Sequence, residues 1–130
     1  MIVVDASALL AALLRPAESR QIRARLFEAG ESLHAPHLID LECTQTLRRF
    51  VSVGDIDAAR ARQALTVLMT LPMRRYPHLT LLSRIWALRS NMTAYDAAYV
   101  ALAEALEAPL LTRDARLAAA AGSHTRVEVI

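Results

Sequence analysis

The chain has 130 residues, 55% apolar and 22% charged, proportions that suit one compact domain spanning residues 1–130 and exclude a disordered chain. The net charge is only +2, yet all fifteen basic residues are arginine. Without lysine or a glycine-rich phosphate loop, a Walker-type nucleotide site is excluded; arginine's planar fork suits phosphate contacts, although most of these arginines read as ordinary surface.

The first stretch, "MIVVDASALLAALLRP", resembles a signal peptide superficially. It lacks a basic leading region, carries Asp5 inside its apolar run and is too short to span a bilayer, so it reads as a strand followed by a helix. "IVVD" is short and β-branched, which predicts a buried strand; "ASALLAALL" predicts a helix ending before Pro16. A second helix is expected from about Pro16 to Ala29, stopped by Gly30, and "SLHAP" predicts a second strand. From Leu38 to Val53 a third helix carries the apolar stripe Ile39, Cys43, Leu47 and Phe50, with Gly54 as its stop. "DIDAARARQALTVLMTL" predicts a fourth helix ended by Pro72, "MRRYP" a short strand, and "LTLLSRIWALR" a further helix. Ala94 to Glu107 predicts the next helix, "APLLT" a strand, "RDARLAAAA" a helix closed by Gly122, and "RVEVI" a final alternating strand. Strands alternating with helices imply an α/β fold, a central parallel sheet with helices on both faces. Functional groups in such sheets gather beyond the carboxyl ends of the strands.

Four acids fall at those junctions. Asp5 closes the first strand, Glu42 lies near the start of the third helix, Asp96 sits in the first turn of the helix from Ala94, and Asp114 comes just after "PLLT". Each has a structural reading: Thr93 and Asp96 approach a capping box, Asp114 suits a helix dipole with Thr112 as N-cap, and Glu42 suits a surface. Asp5 resists one, because a carboxylate ending a buried strand is costly without a partner. Asp57 with Arg60, and Glu28 with Arg25, read as surface pairs; Glu42, Asp96 and Asp114 have no cation at those spacings. The set suggests a hard-cation site built from oxygens. Asp40 competes with Glu42, since two residues on is about 200° around a helix, and periodicity alone does not choose between them.

Other polar groups read as structure. Cys43, the one cysteine, excludes an internal disulfide, suits a reducing compartment and reads as buried. His34 and His37, flanking Pro36 with no cysteine partner, read as non-ligands. Trp86, Tyr95 and Tyr99 have base-stacking chemistry, but the two tyrosines, at helical spacing beside Leu102 and Leu106, read as core.

The segments "IVVDASALLAALL", "HAPHLIDLECTQTLRRF", "NMTAYDAAYVALAEAL" and "APLLTRDARLA" together resemble a PIN-domain ribonuclease, specifically a VapC-type toxin of bacterial toxin–antitoxin pairs. The likeness spans nearly the whole chain. It implies an acidic quartet of Asp5, Glu42, Asp96 and Asp114 and so selects Glu42 over Asp40. It also implies hydroxyl support from Ser7 and Thr112, with lesser support from Asn91 and Thr93. Gln45 departs from the family, where Asn is frequent. The resemblance further implies one or two Mg²⁺ or Mn²⁺ ions, RNA cut to leave a 5′-phosphate and a 3′-hydroxyl, a cytoplasmic homodimer with no membrane association, and inhibition by a VapB-type antitoxin. Arg48, Arg49, Arg113 and Arg116 are the arginines placed to track RNA phosphates.

Two alternatives compete. One is a PIN-like binding module that no longer cuts. The other is a phosphatase or dehalogenase with a strand-end aspartate nucleophile; that chemistry wants a second Asp two residues on and a lysine, whereas Ser7 stands at that position and lysine is missing.

Overall fold

The computed structural model describes residues 1–15 and 17–130. Five short strands, β1 (Ile2–Val4), β2 (Leu33–Pro36), β3 (Met73–Tyr76), β4 (Leu110–Thr112) and β5 (Val127–Val129), form one parallel sheet in the order β3-β2-β1-β4-β5. Central β1 has no alternation because both its faces are covered: Ile2, Val3 and Val4 are all fully buried. On edge strand β5 the side chains are half-buried or exposed. The chain builds from β1 outward to β3, then returns to place β4 on β1's other side. A crevice results between the carboxyl ends of β1 and β4, where the winding reverses.

The helices are α1 (Ala6–Leu14), α2 (Arg20–Leu26), α3 (Leu38–Ser52), α4 (Ala58–Thr70), α5 (Leu82–Ala87), α6 (Ala94–Leu106) and α7 (Ala115–Ala121). Ile39, Cys43 and Leu47 of the predicted α3 stripe are buried, and Phe50 at its end is half-buried. Gly30 and Gly54 come after helices with φ of +83° and +79°, left-handed conformations that favour glycine.

Several expected boundaries move, each for a local reason. The second helix is shorter than residues 16–29, because Ser19 turns its hydroxyl back to the Arg15 carbonyl at 2.6 Å and α2 starts only at Arg20; Pro16 lies outside the described residues. Asp57 caps α4 by accepting from the Arg60 amide at 2.7 Å, which leaves Asp55 and Ile56 outside the helix. Residues 79–89 divide into a 3₁₀ turn over Leu79–Leu81 and then α5. The two expected surface pairs are also different in kind. Arg60 donates to the carbonyls of Leu13 and Leu14, closing the end of α1. Arg25 meets Glu28 at 3.4 Å but is gripped more closely by Glu31 and, at 2.7 Å, by Glu128.

Candidate active site

Asp5 is the hub of the crevice. It stands directly after β1 and caps α1, its Oδ1 accepting from the Ala8 amide at 2.9 Å. Ser7 donates to the same carboxylate at 2.8 and 3.0 Å, and Thr112, at the end of β4, donates to its Oδ2 at 2.6 Å. The carboxylate is therefore fully engaged yet has no cation among these partners. Burial pushes its pKa above the usual Asp range, against the lowering influence of the Thr112, Ala8 and Ser7 hydrogen bonds.

The same hydroxyls hold the next loop. Ser7 accepts from the Arg113 amide and Thr112 from the Asp114 amide, both at 2.9 Å. Asp114 caps α7 itself, accepting from the Arg116 and Leu117 amides; Thr112, expected as that cap, is instead fully buried against Asp5. Thr93 caps α6 by accepting from the Asp96 amide at 3.2 Å, which sets Asp96 in the first turn. From α3, Glu42 accepts a 2.7 Å hydrogen bond from the hydroxyl of Tyr99.

These four acids line one cleft of about 700 Å³. Its other walls have helical periodicity: Ala6, Ser7, Leu10, Ala11, Leu14 and Arg15 come from one side of α1, and Glu42, Thr46, Arg49 and Phe50 from one side of α3. Burial raises Glu42 and Asp96 above their usual ranges, and neighbouring carboxylates add to it: Asp96 and Asp5 for Glu42, Asp114 for Asp96, where Arg116 partly offsets the effect. Among the described residues no group of three or more His, Cys, Asp and Glu side chains is arranged to hold an ion directly. The all-oxygen donor set nevertheless fits a hard divalent cation that retains waters.

A family model for the PIN domain matches residues 2–123. The chain belongs to the PIN-domain family. Within that family, a VapC ribonuclease of Mycobacterium bovis is 50% identical over 117 residues, covering 90% of this chain and 88% of the relative. Ribonuclease VapC1 of Mycobacterium tuberculosis is 45% identical over 129 residues, covering 98% and 96%. This PIN domain also shares its fold with the crystal structure of VapBC2 from Rickettsia felis bound to a DNA fragment from their promoter, with a TM-score of 0.72 at 12% identity, covering 99% of this chain and 98% of that one. The protein is thus a PIN-domain ribonuclease of the VapC type, and ribonucleases of this family generally use divalent metals. Membership removes the strand-aspartate phosphatase or dehalogenase from consideration.

The PIN-domain cleft gathers some of the expected residues and leaves others out. Ser7, Arg49, Arg113 and Arg116 line it with the four acids, and Thr112 reaches it through Asp5. Arg48 instead donates to Gln45 at 3.1 Å, and neither Asn91 nor Thr93 lines the cleft. Asp40 turns away to accept from Arg75 at 2.8 Å. Burial pushes the Cys43 thiol up to about 12, which removes it as a nucleophile. His34 is bound by Ser32 and Tyr76. Tyr95, expected in the core, is 65% exposed. Tyr99 is buried as expected, but the contact of its hydroxyl with Glu42 escaped the sequence reading, as did the places of Arg15 and Thr46 in the cleft wall. Arg15 had a signal, since it closes the nine-residue helix that Asp5 caps, placing it about 15 Å from Asp5 along the axis.

Proposed function

We propose that the cleft hydrolyses RNA phosphodiester bonds with one or two Mg²⁺ or Mn²⁺ ions and that the protein is the toxin of a VapBC-type pair. The observation that supports this reading is the convergence of Asp5, Glu42, Asp96 and Asp114 from four separate elements on one cleft, with three of them raised in pKa. Asp5 and Asp96 are the principal ligands, and Glu42 and Asp114 hold a second ion or its waters. Bound there, such an ion supplies Lewis-acid stabilisation of the scissile phosphate and acidifies an attacking water.

The protein's own groups prepare that chemistry. Ser7 and Thr112 fix both oxygens of Asp5, so little reorganisation is left when a cation arrives. Arg113 and Arg116 take phosphates beside the acids, and Arg49 and Arg15 take phosphates farther along α1 and α3. Leu10, Leu14 and Phe50 between them offer apolar contact to bases. A VapB-type antitoxin holds the activity in check, and the working form is a cytoplasmic homodimer; no helix among the described residues is long and apolar enough to cross a membrane.

Incubating the purified protein with a structured RNA, in Mg²⁺, in Mn²⁺ and in EDTA, tests the assignment. Cleavage is expected only with metal, leaving 5′-phosphate and 3′-hydroxyl ends. Cleavage in EDTA would overturn metal dependence, and no cleavage under any condition would favour a binding module.

A further inference from the structure

Tyr99 is among the largest fully buried side chains, and packing alone asks nothing of its hydroxyl. A phenylalanine would fill almost the same volume without a buried polar group to satisfy. The hydroxyl meets Glu42 Oε1 at 2.7 Å, bridging α6 to α3 across 57 residues of sequence. Its position on α6 is three residues after Asp96, so one helix both presents an acid of the cleft and grips another.

The chemistry of the grip is as informative as its distance. Outside the cleft several carboxylates are held by arginine: Asp40 by Arg75, Glu104 by Arg84, Glu128 by Arg25. An arginine on Glu42 would compete with a cation for the same charge. A phenol donates one hydrogen bond, fixes the carboxylate's direction and leaves its negative charge available.

We propose that Tyr99 is a positioning residue that holds Glu42 Oε1 so that the other carboxylate oxygen is presented to a divalent cation. The inference rests on the reading of the cleft as a metal-dependent nuclease site. Tyr99 itself touches neither ion nor RNA. Its removal should weaken ion binding through Glu42 alone, by about 10–100-fold, the usual cost of losing a partner that orients a ligand.

A double-mutant cycle in Tyr99→Phe, Glu42→Gln and the combined variant tests this, with Mn²⁺ dissociation constants measured by calorimetry on the whole chain without RNA. The expected result is weaker Mn²⁺ binding in Y99F, weaker binding in E42Q, and a double variant no weaker than E42Q alone. For RNA cleavage, kcat should fall in Y99F while KM changes by less than about twofold. Parent-like Mn²⁺ binding in Y99F, with E42Q impaired, would overturn the role of Tyr99 and leave the nuclease reading intact. Equal losses from Y99F in the parent and in E42Q would also overturn it, since the tyrosine would then act through packing. Parent-like binding in E42Q would remove Glu42 from the metal site, and the proposal with it. Should Y99F fail to fold, Tyr99→Met, which fills irregular space without a hydroxyl, is read against the same outcomes.

Discussion

Two clusters of carboxylates in this protein meet opposite fates. Around Arg25, Glu31 and Glu128 accept from one guanidinium, and hydrogen bonds from the Met1 amine and Arg25 hold Glu31 down at about 2. In the cleft, the carboxylates of Asp5 and Glu42 accept from hydroxyls and an amide instead, and Asp5, Glu42 and Asp96 are all raised, by burial first. The first cluster ties α2 to the edge strand β5 and the loop before β2. The second is a concentration of negative charge kept in place by neutral donors. The carboxylates around Arg25 are neutralised by it and by the Met1 amine; those of the proposed metal site that are held, Asp5 and Glu42, are held by neutral donors.

The contrast breaks most sharply at Asp5. Asp5→Asn keeps an oxygen for the Ala8 amide and should fold, yet it should lower RNA cleavage by at least about a hundredfold. Cleavage at a parental rate with intact circular dichroism would end the assignment of Asp5. Next is the pair on α3. Glu42→Gln should reduce cleavage by orders of magnitude, whereas Asp40→Asn should leave it within about twofold and cost at most about 1 kcal/mol in urea unfolding, as expected for a partly exposed pair with Arg75. A reversed pattern would mean that the wrong acid of α3 has been placed in the cleft.

Stability offers finer tests. A carboxylate whose folded pKa is raised stabilises the fold below its unfolded pKa and loses that contribution as pH rises through the folded value. In EDTA, therefore, the acids of the cleft destabilise the protein at neutral pH. Asp96→Asn should melt at or above the parent there, and the two curves should converge as the pH falls toward the ordinary Asp value of 3.8. Saturating Mn²⁺, at about 100 times its Kd, should stabilise the parent by about 2.7 kcal/mol and the variant by much less. A variant that melts lower in EDTA and still gains fully from Mn²⁺ would make Asp96 a helix-starting residue only. The smallest effect belongs to the Arg25 cluster. Glu31 is lowered, so its contribution is complete above 4.5 and is lost as pH falls through about 2. Glu31→Gln should cost on the order of 1 kcal/mol at pH 7, lose that deficit between those values, and leave cleavage unchanged.

Much of the fold was legible because it is local. The unbroken apolar run of β1, the buried stripe of α3 and the glycines after helices each declare themselves within a few residues. The acids of the cleft were legible as positions, at strand ends and helix starts, and as a candidate hard-cation site, but the choice of the acid from α3 was not. Asp40 and Glu42 flank the same buried stripe, and both are half-buried; what separates them is Arg75 from β3 on one side and Tyr99 from α6 on the other. Only the family likeness carried that distant information into the sequence. The hydroxyls of Tyr99 and Thr112 were harder still to read, since their partners lie 57 and 107 residues away. Helix starts at Arg20 and Ala58 were misplaced for a humbler reason: a serine turn and an aspartate cap override propensity over a few residues.

The placement of β1 between β2 and β4 has a consequence for the cell that makes this protein. Asp5 is synthesised well before its partner Thr112, which closes β4, and before Asp114 in the turn from β4 into α7. At about 5–20 residues per second, roughly a hundred residues separate the first acid from the last, so several seconds pass in which the chain grows with its cleft unassembled. A chain released anywhere before β4 lacks both Thr112 and Asp114. Synthesis itself thus delays the nuclease until β4 and the turn after it have been made, an interval in which an antitoxin already present can be waiting.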